Sequence, residues 1–179
     1  MTELQPDIVI VTSPLHAGKS SLIARYADLC GKHNIRVAGI IAEGLWKNNQ
    51  RSGFNLIDLS CGRCVPLAFR CPPREPACVG FDFYPEGIEA ARAALDPDLC
   101  AKADLIVVDE VGKLEIMAGG WALYLMPLLR LAGKTHIWAV RDSLVEAVTH
   151  RWRFTPRAVV DAWSPDALNE LISACALFD

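Results

Sequence analysis

Two short stretches of this sequence have the residue types and spacing of phosphate chemistry. The first is Ser13-Pro14-Leu15-His16-Ala17-Gly18-Lys19-Ser20, followed by Ser21. It fits the pattern G-x-x-x-x-G-K-[ST] at every fixed position but the first, where serine stands for glycine. A loop of this kind turns successive backbone N–H groups toward phosphate oxygens and runs into a helix N-terminus, which favours anions. Gly18 allows close approach, Lys19 puts a positive charge on the β- and γ-phosphates, and the Ser20 hydroxyl reaches Mg²⁺. Residues Ser13 to Ser21 are therefore the candidate nucleotide-binding loop, with no catalytic role for His16. Ser13 is compatible provided it can adopt the backbone angles of the position. The plainer alternative is a turn that happens to contain Gly-Lys-Ser; a strand before, a helix after and the full spacing argue against it.

The second stretch is Leu105-Ile106-Val107-Val108-Asp109-Glu110, four apolar residues ending in two acids. Ligands of a parallel sheet gather at the carboxyl ends of its strands. Asp109 would then emerge beside the loop and hold Mg²⁺ directly or through water. Glu110 would orient or deprotonate an attacking water. Alone, such a run is a buried strand with a polar end; the loop is what gives it meaning. Lys19 and Glu110 are thus candidate catalytic groups, and Ser20 and Asp109 candidate metal ligands. Phosphoryl transfer also calls for a further positive charge, usually an arginine. Arg141, after the apolar run at 136–140, is the choice; Arg151, Arg153 and Arg157 around Trp152 are alternatives. A base could stack on Trp152 or Trp46, although surface arginines and core or rim tryptophans account for these residues more simply.

Elements must hold these groups together. Apolar runs at residues 8–11, 37–41, 105–108, 137–140 and 158–160 are continuous rather than alternating, as in strands buried on both faces of a parallel sheet. Helical patterns lie between them, at 20–32, 85–101, 121–131, 143–150 and 165–176, the last opened by Ser164-Pro165-Asp166. This alternation predicts an α/β layered sheet with right-handed crossovers. One segment departs from it. Two short strands, 53–59 and 65–69, with a turn at Cys61-Gly62-Arg63-Cys64 and a proline-rich loop at 71–78, read as a β-hairpin insertion (about 51–84) beside the main sheet. With no linker and no repeat, residues 1–179 read as one domain.

Val108-Asp109-Glu110-Val111-Gly112-Lys113-Leu114-Glu115 resembles the D-E-[IV]-G-K-[ML]-E signature of the small thermophile-type nucleoside-triphosphatases. These are P-loop enzymes of archaea and bacteria, with relatives in animals. Arg51-Ser52-Gly53-Phe54-Asn55-Leu56-Ile57-Asp58-Leu59 is similar to the family's R-x-G-F-x-[LIV]-x-D-L hairpin, and Val37-Ala38-Gly39-Ile40 to its second strand. The likeness covers most of the chain and is looser beyond residue 140. It implies a three-layer P-loop NTPase fold, a mostly parallel sheet flanked by helices with a β-hairpin insertion. It also implies Mg²⁺-dependent hydrolysis of ATP, GTP or other nucleoside triphosphates with little base preference. Carried onto this chain, Lys19 and Ser20 bind phosphates and metal, Asp109 the metal, and Glu110 is the base. Ser13 and the cysteines of the hairpin depart from the family pattern. Lys113 keeps two readings, a contact to the γ-phosphate or a second substrate, and a solvated loop lysine. Glu115 is expected to be a charge matching a helix dipole. Two other functions remain in view: a nucleotide or small-molecule kinase whose hydrolysis is leakage, and a nucleotide-switch accessory protein for metal-cofactor assembly.

The accessory reading draws on Cys61, Cys64, Cys71 and Cys78, a C-x₂-C-x₆-C-x₆-C array that could hold Zn²⁺ or an Fe–S cluster. Its wide second spacing matches zinc sites incompletely, and reduced thiols or a redox pair are the alternative. Cys30, Cys100 and Cys175 fall in helical patterns and read as small core residues. Composition narrows the partners. Lys and Arg total 18 against 21 Asp and Glu, a net charge of -3, which argues against a broad nucleic-acid surface. No apolar run approaches the ~20 residues of a membrane span, and 8–11 is too short for a signal-peptide core. A cytoplasmic enzyme acting on a nucleoside triphosphate is expected, with no protein partner indicated.

Overall fold

The apolar runs at 8–11, 37–41, 105–108 and 137–140 become strands covered on both faces, whereas 158–160 becomes an edge strand with Val159 exposed. A computed structural model describes residues 6–14, 18–72 and 80–178. The chain begins with β1 (Asp7–Ser13), α1 (Lys19–Lys32), β2 (Val37–Lys47), β3 (Gln50–Asp58), β4 (Cys64–Arg70) and β5 (Phe81–Phe83). It continues with α2 (Pro85–Ala94), α3 (Pro97–Cys100), β6 (Leu105–Val108), α4 (Lys113–Ile116) and α5 (Ala122–Leu129). Last come β7 (Thr135–Arg141), a 3₁₀ turn (Asp142–Leu144), α6 (Val145–Trp152), β8 (Ala158–Asp161) and α7 (Ala167–Cys175). The strands form one sheet in the order β5-β4-β3-β2-β6-β7-β1-β8. Strands β2, β6, β7, β1 and β8 run parallel, and β2 to β5 form an antiparallel meander.

Alternate residues of β1, β6 and β7 enter different cores. Ile8, Ile10, Ile106, Val108, Trp138 and Val140 pack under α2, α3, α5 and α6. Val9, Val11, Leu105, Val107, Ile137 and Ala139 pack under α1 and α7. That is why the strands read as unbroken apolar runs, and it makes three layers. Because β7 lies between β1 and β6, the loop after β1 and the acids after β6 are separated by two strand spacings, about 10 Å. The helix after β1 covers one face and the helix after β7 the other. The crevice between these two strands is the switch point at which α/β sheets bind ligands.

The insertion differs from the expectation. It does not sit beside the sheet but extends it, because β2 runs on to Lys47 and turns back at Asn48-Asn49, both left-handed at φ 50° and 58°. Asparagine tolerates that conformation, and such turns match the twist of paired strands. The helix expected over 85–101 is two helices. Pro97 disfavours helical angles at Asp96, whose carboxylate instead caps α3 by accepting from the Asp98 and Leu99 amides. Cys30, Cys100 and Cys175 are core residues, as expected.

Two buried positions yield measurable expectations. Gly39 pairs with Val107 at φ 106°, and a Cβ there would lie 1.9 Å from the Val107 carbonyl oxygen. Gly39→Ala should therefore lower stability by about 3 kcal/mol or more, read as the urea midpoint. His136 on β7 is fully buried, and neither ring nitrogen has a hydrogen-bond partner among the described residues. Burial lowers its pKa to about 4. Since an unfolded imidazole titrates near 6.5, the unfolded state binds the extra proton, and stability present above that pH is lost on acidification toward 4. His136→Leu should remove that loss, changing the wild-type-minus-variant stability by about 3 kcal/mol between pH 7 and 4.

Candidate active site

Gly18 opens α1 in the left-handed conformation, φ 83°, and its carbonyl receives the Leu22 amide at 2.9 Å. Lys19 follows, buried although charged, and its Nζ donates to Ser13 Oγ at 3.3 Å. Ser13 is the last residue of β1 and is absent from the positive-φ residues. Its position thus makes no demand for glycine, and its side chain supports the lysine. Register across β1 and β7 sets Ser13 opposite Arg141, bringing that arginine to the same edge. Pro14 is exposed; Leu15, His16 and Ala17 lie outside the described residues.

Asp109 leaves β6 fully buried. Its Oδ2 accepts the Ala42 amide at 3.1 Å and its Oδ1 the Glu110 amide at 2.9 Å, and the Ser20 hydroxyl bonds it as well. Burial, and then the Glu110 charge, raise its pKa. Glu110 is exposed and left-handed at φ 58°, a costly conformation for a residue with a side chain. The Val111 amide, bonded to the Ala139 carbonyl at 3.0 Å, holds the next residue against β7. Glu115 does more than match a dipole. It is buried, its two oxygens accept the Gly112 amide at 2.8 Å and the Trp121 amide at 3.2 Å, and burial pushes its pKa up to about 7. Lys113 belongs to α4 rather than to a loop, and its side chain is exposed.

The long β2–β3 arm brings in a residue that sequence reasoning passed over. The Arg51 guanidinium lies 4.4 Å from the Trp46 ring centroid and 5.0 Å from that of Phe54. A Cβ on Gly44 would meet Arg51 Nη1 at 1.4 Å, so glycine there lets the guanidinium lie against β2. Burial lowers the Arg51 pKa, while the carboxylates of Glu110 and Asp109 act in the opposite sense. Both acids thus favour its cation, and Arg51 and Glu110 line the same cavity. The Asn-Asn turn is the signal that would have lengthened β2 and revealed this placement.

One cavity of about 1020 Å³ collects these groups: Gly18, Lys19, Ser20, Ser21, Glu110, Lys113, Arg141, Arg51 and Trp46 all line it. Asp109 lies beneath, joined to it through Ser20. The other arginine candidates are elsewhere. Arg157 pairs with Asp7 at 3.0 Å, at the opposite end of β1. Arg151 lies over Trp152, which is itself buried edge-on against Trp138, and neither these nor Arg153 line the cavity. The four-cysteine site is not assembled. Cys64 opens β4 and Cys71 follows its end, so an extended strand holds them roughly 20 Å apart, whereas ligand sulfurs must each lie ~2.3 Å from one zinc. Among the described residues no group of three or more His, Cys, Asp and Glu could hold a metal ion; Cys78 lies outside them. Cys64 and Cys71 therefore do not share one metal ion, the sharing that the metal-assembly accessory reading draws on.

The family model described as NTPase matches residues 8–161. Nucleoside-triphosphatase THEP1 of Methanosarcina barkeri is 32% identical over 152 residues, 80% of this chain and 76% of the relative. That of Pyrococcus abyssi is 29% identical over 162 residues, 87% and 83% of the two chains. Among solved structures, a human cancer-related nucleoside triphosphatase superposes with a TM-score of 0.69 at 19% identity, covering 96% of this chain and 97% of its own. THEP1 of Aquifex aeolicus superposes with a TM-score of 0.69 at 17% identity, covering 94% and 98%. No helix among the described residues is long and apolar enough to cross a membrane. The chain thus belongs to the NTPase family and is an enzyme that hydrolyses nucleoside triphosphates.

Proposed function

We propose that hydrolysis is Mg²⁺-dependent, accepts ATP, GTP and other nucleoside triphosphates, and proceeds by in-line attack of a water held by Glu110. The observation that carries this reading is the convergence of Lys19, Ser20, Glu110 and two arginines on one cavity, above a buried Asp109 bonded to Ser20. The Ser20 hydroxyl and the Asp109 carboxylate are oxygen donors suited to Mg²⁺, which usually takes one or two carboxylates plus phosphates and waters. Those two residues would hold the ion, and when bound it neutralises charge on the phosphate oxygens.

The remaining roles fall to the chain. Lys19 faces the β- and γ-phosphates from the start of α1, where the helix N-terminus favours anions. Loop amides and Lys19 address oxygens common to every nucleoside triphosphate, which accounts for tolerance of the base. Glu110 stands clear of the strand end, where its carboxylate can orient the water and accept its proton. Arg51, rather than Arg141 alone, supplies positive charge on the attacking side, because it lines the cavity with Glu110 and both acids favour its cation. The net charge of -3 supports a small anionic substrate held by local cations over a nucleic acid.

Lys19→Ala should abolish nucleotide binding and turnover, whereas Glu110→Gln should keep binding and lose about 10²–10⁴ in kcat. Normal ATP hydrolysis by the Glu110 variant would remove the base assignment. Arg51→Ala should lower kcat by about 10³ or more with KM little changed. Arg51→Lys should recover little of it, because a point charge lacks the planar fork. Full kcat in the Arg51 variants with a large loss in Arg141→Ala would transfer the role to Arg141.

A further inference from the structure

The cavity extends well beyond the phosphate-binding groups, and the extension has a direction. In an in-line displacement the attacking oxygen, the γ-phosphorus and the leaving oxygen are roughly collinear, so the nucleoside lies opposite the attacker. With Glu110 as the base, the space beyond it is on the attacking side and is not the nucleoside's. There the cavity continues past α4 and under the β2–β3 arm, walled by Trp46, Phe54, Phe81, Phe83, Ile88 and Trp121. Arg51 stands at its border, over the first two of these rings. At about 1020 Å³ the whole cavity reaches the top of the range for small-molecule sites, roughly 300–1,000 Å³. A water molecule has a share of only ≈ 30 Å³ and no use for apolar walls. Trp46, Phe83 and Ile88 remain 53%, 36% and 38% exposed, apolar surface that a seated ligand would cover.

We propose that this chamber is an acceptor subsite that seats a small planar aromatic alcohol with its hydroxyl at Glu110, and that the enzyme transfers the γ-phosphoryl group to that hydroxyl. The proposal rests on the assignment of Glu110 as base made above. Phe54 and Phe81 meet edge-on with centroids 5.1 Å apart, the kind of wall against which a flat ring packs. A hydroxyl is the acceptor group that suits Glu110, because it carries a proton for that carboxylate to take as its oxygen attacks. The alcohol oxygen forms a bond to the γ-phosphorus as the bond from that phosphorus to the β–γ bridging oxygen breaks. The electron pair leaves on the nucleoside diphosphate, and the hydroxyl proton passes to the Glu110 carboxylate. Hydrolysis is the same displacement with water in the chamber.

The test uses the full chain with Mg²⁺ and ATP, followed by ³¹P NMR. Benzyl alcohol, 3-(hydroxymethyl)pyridine and methanol are added separately at equal millimolar concentration. A phosphomonoester should form, with an ester-to-phosphate ratio at least about tenfold higher for the aromatic alcohols than for methanol. Ile88→Trp, which fills the chamber, should lower that ratio about tenfold, and a ratio taken within one tube does not depend on how much variant is folded. Inorganic phosphate alone with every alcohol, equal ratios for methanol and the aromatic alcohols, or a ratio unmoved in Ile88→Trp would overturn the proposal. So would inhibition by the aromatic alcohols that is competitive with ATP, since the chamber would then be the nucleoside's. Phosphate release without alcohol, compared between wild type and Glu110→Gln, tests the hydrolytic assignment separately.

Discussion

The site depends on how one buried carboxylate is satisfied. Asp109 is removed from water, and an ionised carboxylate in that position costs several kcal/mol unless hydrogen bonds and charges compensate. Its compensation comes from three parts of the chain: the Ala42 amide on β2, the Glu110 amide at the end of β6, and the Ser20 hydroxyl on α1. Displacing any one of these elements would strip a bond from a group that cannot turn to solvent. The phosphate loop, the acid pair and the start of the β2–β3 arm are thereby held to one point. The parallel register of Ile40 with Val108 delivers the Ala42 amide there, and Gly39, by leaving out a side chain, lets β2 and β6 approach closely enough.

The serine at the head of the loop shows how a departure from a motif can be absorbed. Glycine is needed where φ is positive, or where a backbone must pass with no room for a Cβ. Ser13 meets neither condition as the final residue of an extended strand, and the left-handed turn is made by Gly18 instead. Its hydroxyl accepts from Lys19, which offers the ammonium a partner in a setting where it is largely shielded from water. The serine therefore gives the lysine a side-chain partner at a position whose backbone angles do not call for glycine.

Legibility in the sequence followed the range of the determining interaction. Residues 8–11 and 105–108 read correctly as strands because burial on both faces writes itself into consecutive apolar residues. Lys19, Ser20, Asp109 and Glu110 were legible for a related reason, since each follows its element within a few residues. Arg141 was brought to the cavity by the strand it ends. Arg51 was not legible, because its place depends on a hairpin whose length turned on Asn48 and Asn49 accepting positive φ. Glu115 looked like a charge at a helix start; its Oε1 also accepts from the Trp121 amide across an intervening turn, a contact that no local pattern encodes. The cysteine spacing misled because counting residues ignores that β4 is extended and keeps Cys64 and Cys71 apart.

Glu115 also explains how a strained Glu110 is sustained. A left-handed residue bearing a side chain costs about 1–3 kcal/mol, and it persists only where its neighbours leave no alternative. Before it, the Glu110 amide is held by Asp109. After it, Val111 is bonded to Ala139 on β7, and Gly112 is tied to the buried Glu115 carboxylate. The other Glu115 oxygen holds the start of α5, and Gly120 makes room for it, since a Cβ there would lie 2.0 Å from Oε1. Relaxing Glu110 would thus require breaking a bond to a buried acid on at least one side. Raising the Glu115 pKa is the electrostatic counterpart of that clamp: the same burial that makes its carboxylate hard to ionise makes its two amide bonds hard to replace with water. Glu110, the proposed base, is therefore held in place by two buried acids, one on each side of it along the chain.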